Sequence, residues 1–257
     1  MFLALTGETL NDFVKRLRLE KALSQIAHHR RQPLTGIALA CGFASMSDFS
    51  RCFKHRHGVP PSRFDLAAHR ASHRQERGAT VAPFSAGPWR EAPAPGANPD
   101  GFVATLRHLP ARSVAYLRVH DSFREGAVAD AAQRLMQWAD QQGVGDHRWL
   151  GYMWDDPALV ALKDCRYDVA VKVARSAVKP GGEIGRFDFP ALLVAQEEVR
   201  YGIDLELRAL DWLYGSWLPG SGHVPADWPC FEAWLGRPVA QRQLHVELDI
   251  WLPIQRA

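Results

Sequence analysis

The chain has 257 residues, 47% of them hydrophobic, and a formal net charge of +3; on a prior of roughly 100–200 residues per domain it forms one large or two modest units. No apolar run approaches the ~18 residues that span a bilayer, and Met1-Phe-Leu-Ala-Leu passes into Thr6-Gly-Glu-Thr without the basic leader of a signal peptide. Four scattered cysteines, Cys41, Cys52, Cys165 and Cys230, include no Cys-x-x-Cys pair, which argues against a disulfide or zinc framework and for a reducing, cytoplasmic setting.

The charge is unevenly divided. Residues 1–77 hold 13 Lys+Arg against 6 Asp+Glu, and the remainder 18 against 22. A basic head on a mildly acidic body suggests a polyanion-binding module joined to something else. From Thr9 to Ala27, Leu10, Phe13, Val14, Leu17, Ala22, Leu23 and Ile26 recur at helical spacing, so the first element is an amphipathic helix with Thr9 as N-cap and Asp12 three positions on. Leu34–Phe64 then reads as a helix, a tight turn at Gly42, a second helix and a stop at Gly58. Ile37, Ala38 and Cys41 share one face of the first of these helices. Phe49 and Phe53 face inward on the second, leaving Met46, Ser47, Ser50, Arg51 and Lys54 outward. Small polar groups and two cations on a short outer face suit a DNA major groove. Ile37, Phe43, Phe49, Phe53, Val59 and Phe64 are the expected core. Asp48 is a first-turn dipole residue, and Ser62 and Arg63 follow Pro60-Pro61 at a helix start able to hold a phosphate. His69 and His73 have i, i+4 spacing but no evident third ligand, so the histidines are read as a solvated basic face, with no metal.

Residues 71–100 are assigned to a Pro/Gly/Ala-rich tether, because five prolines between Gly78 and Pro99 forbid a helix; Trp89 is an oddity within it. The body, 101–257, alternates strands and helices. Strands are expected at 103–109, 112–120, 149–154, 167–173, 185–189, 191–198 and 244–252, helices at 127–142 and 204–217, with a short segment at 229–235. Two similar strand–strand–helix–strand–strand halves point to an internal duplication.

Ile-Ala-x-x-x-Gly-Phe, then Phe-Ser-Arg-x-Phe-Lys, then Gly-x-x-Pro-x-x-Phe occur in register in the head. This pattern resembles the second helix-turn-helix of the AraC/XylS transcription regulators, and residues 13–22 are similar to the linker helix of that family. The resemblance implies a head, 1–70, in which Met46, Ser47, Ser50 and Arg51 face base edges. Lys54, Arg56, Ser62, Arg63 and Arg30 would meet phosphates. It also implies a preceding helix-turn-helix, of which Met1-Phe-Leu-Ala-Leu is only the last turn; Leu10, Phe13 and Leu17 are then expected to be partly uncovered.

In the body, Leu-Pro-Ala-Arg-x-Val-Ala-Tyr, Asp155-Asp-Pro, Cys-Arg-Tyr-Asp168, Phe-Glu232-x-Trp and the terminal Val-Glu-Leu-Asp-Ile-Trp-Leu-Pro253 resemble the GyrI-like effector-binding domain. The implied fold is an all-α helix-turn-helix head plus an α+β body whose duplicated halves form a ligand groove. Glu232 matches the acidic residue that faces the ligand in that family, with Trp154, Tyr167, Trp217, Tyr116 and Trp234 as further effector-binding candidates. A carboxylate among rings attracts lipophilic cations. Glu247 and Asp249, sharing a face of the last strand, are secondary candidates. The implied function is a bacterial, sequence-specific DNA-binding regulator controlled by a small, lipophilic or cationic effector, and not an enzyme. Its partners would be double-stranded DNA, the effector, RNA polymerase and a second copy of the chain, with no cofactor and no membrane. The alternatives are a small-molecule sequestering protein with a defunct head, or a hydrolase in which Glu232 activates water with help from Tyr167.

Overall fold

A computed structural model of the chain describes residues 8–29, 32–84, 96–145, 148–175, 182–200, 203–238 and 247–257. Arg30, Arg31, Trp89, the first seven residues and the side chain of Glu247 lie outside the described residues. The chain divides into two units, Met1–His73 with Ala158–Val160, and Arg74–Pro157 with Ala161–Ala257.

In the first unit, α1 (Leu10–His28) starts where Thr9 Oγ1 accepts the Asp12 N–H at 3.2 Å, which satisfies one of the orphan donors of the first turn. Leu19, Ala22, Leu23 and Ala27 are buried, so the apolar stripe is covered toward its C-terminal end. Leu10 is 60% exposed, and Phe13 and Leu17 are half-buried. Two shorter helices follow, α2 (Leu34–Ala40) and α3 (Met46–His57). Ser45 caps α3 by accepting the Asp48 N–H at 3.1 Å. Gly58 ends it in the left-handed region at φ 78°, where a Cβ would be strained. Phe49 and Phe53 are fully buried and meet each other, Phe43 and Phe64 in tilted or edge-on contacts at ring-centroid separations of 5.1–5.5 Å. Val59 departs from the expected core: it follows the Gly58 cap, outside the helical repeat, and is 38% exposed.

The histidines also depart from expectation. His69 meets His57 edge-on and His73 at a tilt, with centroids 5.8 and 4.1 Å apart. Burial, then the neighbouring His69, Arg56 and His73, push His57 down to about 4, so its ring is neutral at pH 7 and packs as an aromatic group.

A fourth helix, α4, spans Leu66–Val81. Residues 71–81, expected in the tether, are therefore helical: the prolines lie at Pro83 and beyond, so no backbone donor is lost before Val81. From Arg74 onward α4 belongs to the second unit, where Arg77 is buried and paired with Asp211.

The body contains β1 (Thr105–Leu109), β2 (Arg112–His120), α5 (Ala127–Gln141), β3 (Trp149–Met153), β4 (Arg166–Val173), β5 (Gly185–Phe189), β6 (Leu192–Arg200), α6 (Ile203–Trp212), β7 (His223–Pro225), β8 (Cys230–Trp234) and β9 (Glu247–Arg256). The expected strands and helices recur within a few residues; β7 is additional, and the C-terminal part of the second helix is a π-helical turn, Leu213–Trp217. All pairings are antiparallel, in the order β1-β6-β9-β8-β3-β4-β2-β5, with β7 on β9. The order reads the same from either end when the halves are exchanged. Each half lends an edge strand to the other, β1 to β6 and β5 to β2, and the halves meet at the central β3–β8 pair.

Strand alternation sorts the side chains to two faces. One face carries Ala115, Leu117, Val119, Trp149, Tyr167, Val169 and Val171, which pack against α5, and Ala195, Val199, Leu248, Ile250 and Leu252, which pack against α6. The stripe that α5 presents is Ala127, Ala131, Ala132, Leu135 and Ala139, small enough to lie close on the sheet. The other face carries Val114, Leu150, Tyr152, Phe189, Phe231 and Trp251.

Candidate functional site

At the centre of the sheet Glu232 of β8 stands opposite Gly151 of β3. It lies on the helix-bearing face and is only 6% exposed. The Trp234 Nε1–H donates to Glu232 Oε2 at 2.7 Å. The Tyr167 hydroxyl from β4 and the Glu206 carboxyl from α6 both make hydrogen-bonding contact with Glu232. Gly151 makes room for this cluster, because a Cβ there would collide with the Tyr167 hydroxyl. Glu206, 9% exposed, was not anticipated from sequence. One signal does point to it: three and four residues before Ala209 and Leu210, it occupies the apolar stripe of α6, a position where an ionisable group is rare.

Burial dominates the electrostatics. It pushes Glu232 up to about 7, against the hydrogen bonds from Trp234, Tyr167 and Glu206 that favour its charged form. Glu206 rises well above the ordinary carboxylate range, through burial first and the Glu232 charge second. Two acids in contact cannot both ionise cheaply in a dry site. Glu206 therefore holds the proton and Glu232 accepts from it. Burial also raises the Tyr167 hydroxyl well above its usual value, with Glu232 adding to the shift, so it is a neutral donor.

The sign of the pH dependence follows. A carboxyl raised in the folded state binds more protons there than in the unfolded chain, so stability is fully present at low pH and falls as pH rises. For Glu232 the loss runs from about 4.5 to about 7, and Glu197, which burial pushes up to about 7, contributes with the same sign. His57 in the first unit, pushed down to about 4, contributes with the opposite sign, so the test is the difference between proteins. The stability of Glu232→Gln relative to wild type should rise with pH over this window, and a difference independent of pH would refute the assignment.

Among the remaining effector-binding candidates, Tyr167 and Trp234 join Glu232, while Trp217 packs in the α6 core and stacks on His223 at 6.5 Å. Tyr116 and Trp154 do not join the cluster. Alternation along β2 and β3 turns them to the opposite face, where Tyr116 lies over Gly185 and the Trp154 Nε1–H donates to Asp168 Oδ2 at 2.6 Å. Asp168 also accepts a bidentate pair from Arg118 at 2.8 Å, so the Cys-Arg-Tyr-Asp motif locks the sheet on one face and supplies Tyr167 to the site on the other. Asp249 is turned to that opposite face as well, paired with Arg200 and Arg148.

On the head, α3 presents its polar face outward: Ser47 and Arg51 are exposed, and Met46 and Ser50 half-buried. Arg51 is 79% exposed in its side chain and is held by Asp48 at 2.8 Å, one helical turn back. Lys54, Arg56, Ser62 and Arg63 are exposed, and Arg56 reaches to within 3.8 Å of Glu20. Arg30 is outside the described residues.

A helix-turn-helix in one unit and an α+β body matching a small-molecule binding domain in the other define a class: a helix-turn-helix transcription regulator with a small-molecule binding body. Residues 104–255 match the GyrI-like small molecule binding domain and residues 1–66 a helix-turn-helix domain, and the chain belongs to the GyrI-like family. It is similar to a DNA gyrase inhibitor of Edwardsiella piscicida, 31% identical over 157 residues, 59% of this chain and 97% of that one. Its head is similar to the probable transcriptional regulator LumQ of Photobacterium leiognathi, 39% identical over 66 residues, 26% of either chain. Among solved structures it is similar to EcmrR in a cryo-EM complex with DNA, with a TM-score of 0.49 and 12% identity over 99% of this chain and 80% of that one. Among the described residues no helix is long and apolar enough to cross a membrane.

Proposed function

We propose that the body senses a lipophilic cation at Glu232 and thereby changes how the head engages DNA, acting as a cytoplasmic switch rather than as an enzyme. The observation that carries the reading is a buried acid pair lacking an internal counter-ion. Among the described residues, the groups acting on Glu206 and Glu232 are one another, the Tyr167 hydroxyl, the Trp234 N–H and the Cys230 thiol, none of them positively charged. Buried carboxylates are ordinarily paired with a cation, so a ligand that brings positive charge and apolar surface completes this site. Opening the α6 side of the cluster would admit it. The π-helical turn after α6 is a wide turn of the kind found at functional positions.

The test is titration of the protein with a hydrophobic quaternary cation, read by tryptophan fluorescence through Trp234. Glu232→Gln should lower affinity by at least about tenfold, the scale of one desolvated charge contact. Equal binding by both proteins would sink the reading.

On DNA, a single recognition helix reads few base pairs, so two copies of the chain on adjacent half-sites would supply the contact area a specific complex needs. RNA polymerase is the further partner through which such a switch would act. Arg51, held in place by Asp48, is assigned to a base edge and Lys54 to phosphate. Arg51→Ala should cost about 1–3 kcal/mol of discrimination. Lys54→Ala should instead weaken binding to all sequences and lower the salt slope by about one. Fluorescence anisotropy on the upstream region across a salt series separates the two. Equal losses on specific and scrambled DNA for Arg51→Ala would move it to the phosphate class.

A further inference from the structure

The body holds two acids where a singly charged ligand needs only one. Glu232 comes from the centre of the sheet and Glu206 from the helix packed over it, and both are buried. We propose that Glu206 is a specificity-determining residue that makes this site selective for cations with two positive charges, the second charge entering as the proton shared by the two carboxylates leaves. The inference rests on the cation-sensing reading above and deepens it.

Charge balance in a buried, low-dielectric setting supports it. With one proton between them the two carboxyls carry a single negative charge, which a monocation neutralises while the proton stays. A dication leaves one positive charge uncompensated unless that proton departs, and an uncompensated charge in a low-dielectric interior is costly. Expelling the proton to solvent converts the pair to two carboxylates, one for each ligand charge. Among the described residues, no group acting on the pair opposes that change with positive charge of its own. Tyr167 of β4, Trp234 and Cys230 of β8, and Tyr214, which acts on Cys230, are neutral hydrogen-bonding groups. The location of Glu206 also fits a gate: α6 is the element that must give way for entry. A carboxyl carried on the moving helix meets the ligand only once the site has accepted it.

The experiment compares two cations of nearly equal size and shape, N-methyl-4,4′-bipyridinium with one charge and N,N′-dimethyl-4,4′-bipyridinium with two. Each is titrated calorimetrically into the full chain in two buffers of different ionisation enthalpy, so that affinity and proton release are read together. Wild type should bind the dication about tenfold or more tightly than the monocation, the scale of one added desolvated charge contact, and should release about one more proton with it. Glu206→Gln should lose the preference for the dication and lose the extra proton, both read as ratios between the two cations within the variant. Glu206→Met, which suits the apolar stripe of α6, repeats the comparison should the glutamine variant melt early in circular dichroism. Equal affinities and equal proton counts in wild type overturn the inference, as does a preference that survives loss of Glu206. If wild type binds neither cation, the cation-sensing reading falls and this inference with it. Binding of both without discrimination removes only the role of Glu206.

Discussion

Gly151→Ala is expected to disable the proposed effector site and destabilise the body, although it adds a single methyl group. Gly151 sits in the middle of β3, opposite Glu232 and beneath the Tyr167 ring. A Cβ there overlaps the Tyr167 hydroxyl and its ring carbon, and the neighbouring strand cannot move away while the β3–β4 ladder holds. Overpacking of this kind typically costs about 1–3 kcal/mol. Tyr167 must turn off Glu232 to relieve it, which removes one donor from a buried acceptor and adds to the loss. Urea unfolding reads the stability, and cation titration reads the site. Adding Tyr167→Phe to Gly151→Ala should recover part of the stability, since the hydroxyl makes the closest overlap, without recovering binding. A Gly151→Ala protein within about 0.5 kcal/mol of wild type would show that the strand adapts and that the glycine is not needed.

Phe53→Ala is expected to unfold the head. Phe53 is fully buried at the meeting point of α3 with Phe49, His57 and Phe64. Truncating a buried phenylalanine costs about 3–5 kcal/mol, close to the whole stability of many small domains. Because α3 carries the residues assigned to DNA, specific binding should disappear with it, while cation binding by the body remains. Hydrogen exchange should show α1 to α3 losing protection and the β-sheet retaining it. A head that stays protected in this variant would mean its core is held mainly by α1 packing.

The head was legible in sequence because its signals are local. Thr9 and Ser45 cap helices through their own next turn, Gly58 ends α3 through its own φ, and Phe49 and Phe53 share a face by helical spacing alone. Most strands of the body were legible for the same reason, since alternation in Arg112–His120 or Arg166–Val173 is written within each segment. Two local readings failed where neighbours intervened. Residues 71–81 stay helical because Arg77, Gly78 and Val81 find burial in the second unit. His57, His69 and His73 pack ring against ring, half-buried, while His55 stays exposed as expected.

The residues of the site divide along the same line. Glu232, Tyr167 and Trp234 were reachable from motif and alternation. Which face an aromatic residue serves was not, because a strand shows two faces and only its partners decide which one is covered by helices. Tyr116 and Trp154 went to the face opposite the acid pair on the register of β2, β3 and β4. Glu206 and Gly151 became site residues only through tertiary structure, which brings positions 206 and 232 together on two elements and clears space at 151. The sequence by itself determined most of the elements, since these rest on contacts between residues near in the chain, and its motifs carried the class of protein. The fold alone decided that two acids meet in a buried site, because that pairing depends on how α6 lies across the centre of the sheet.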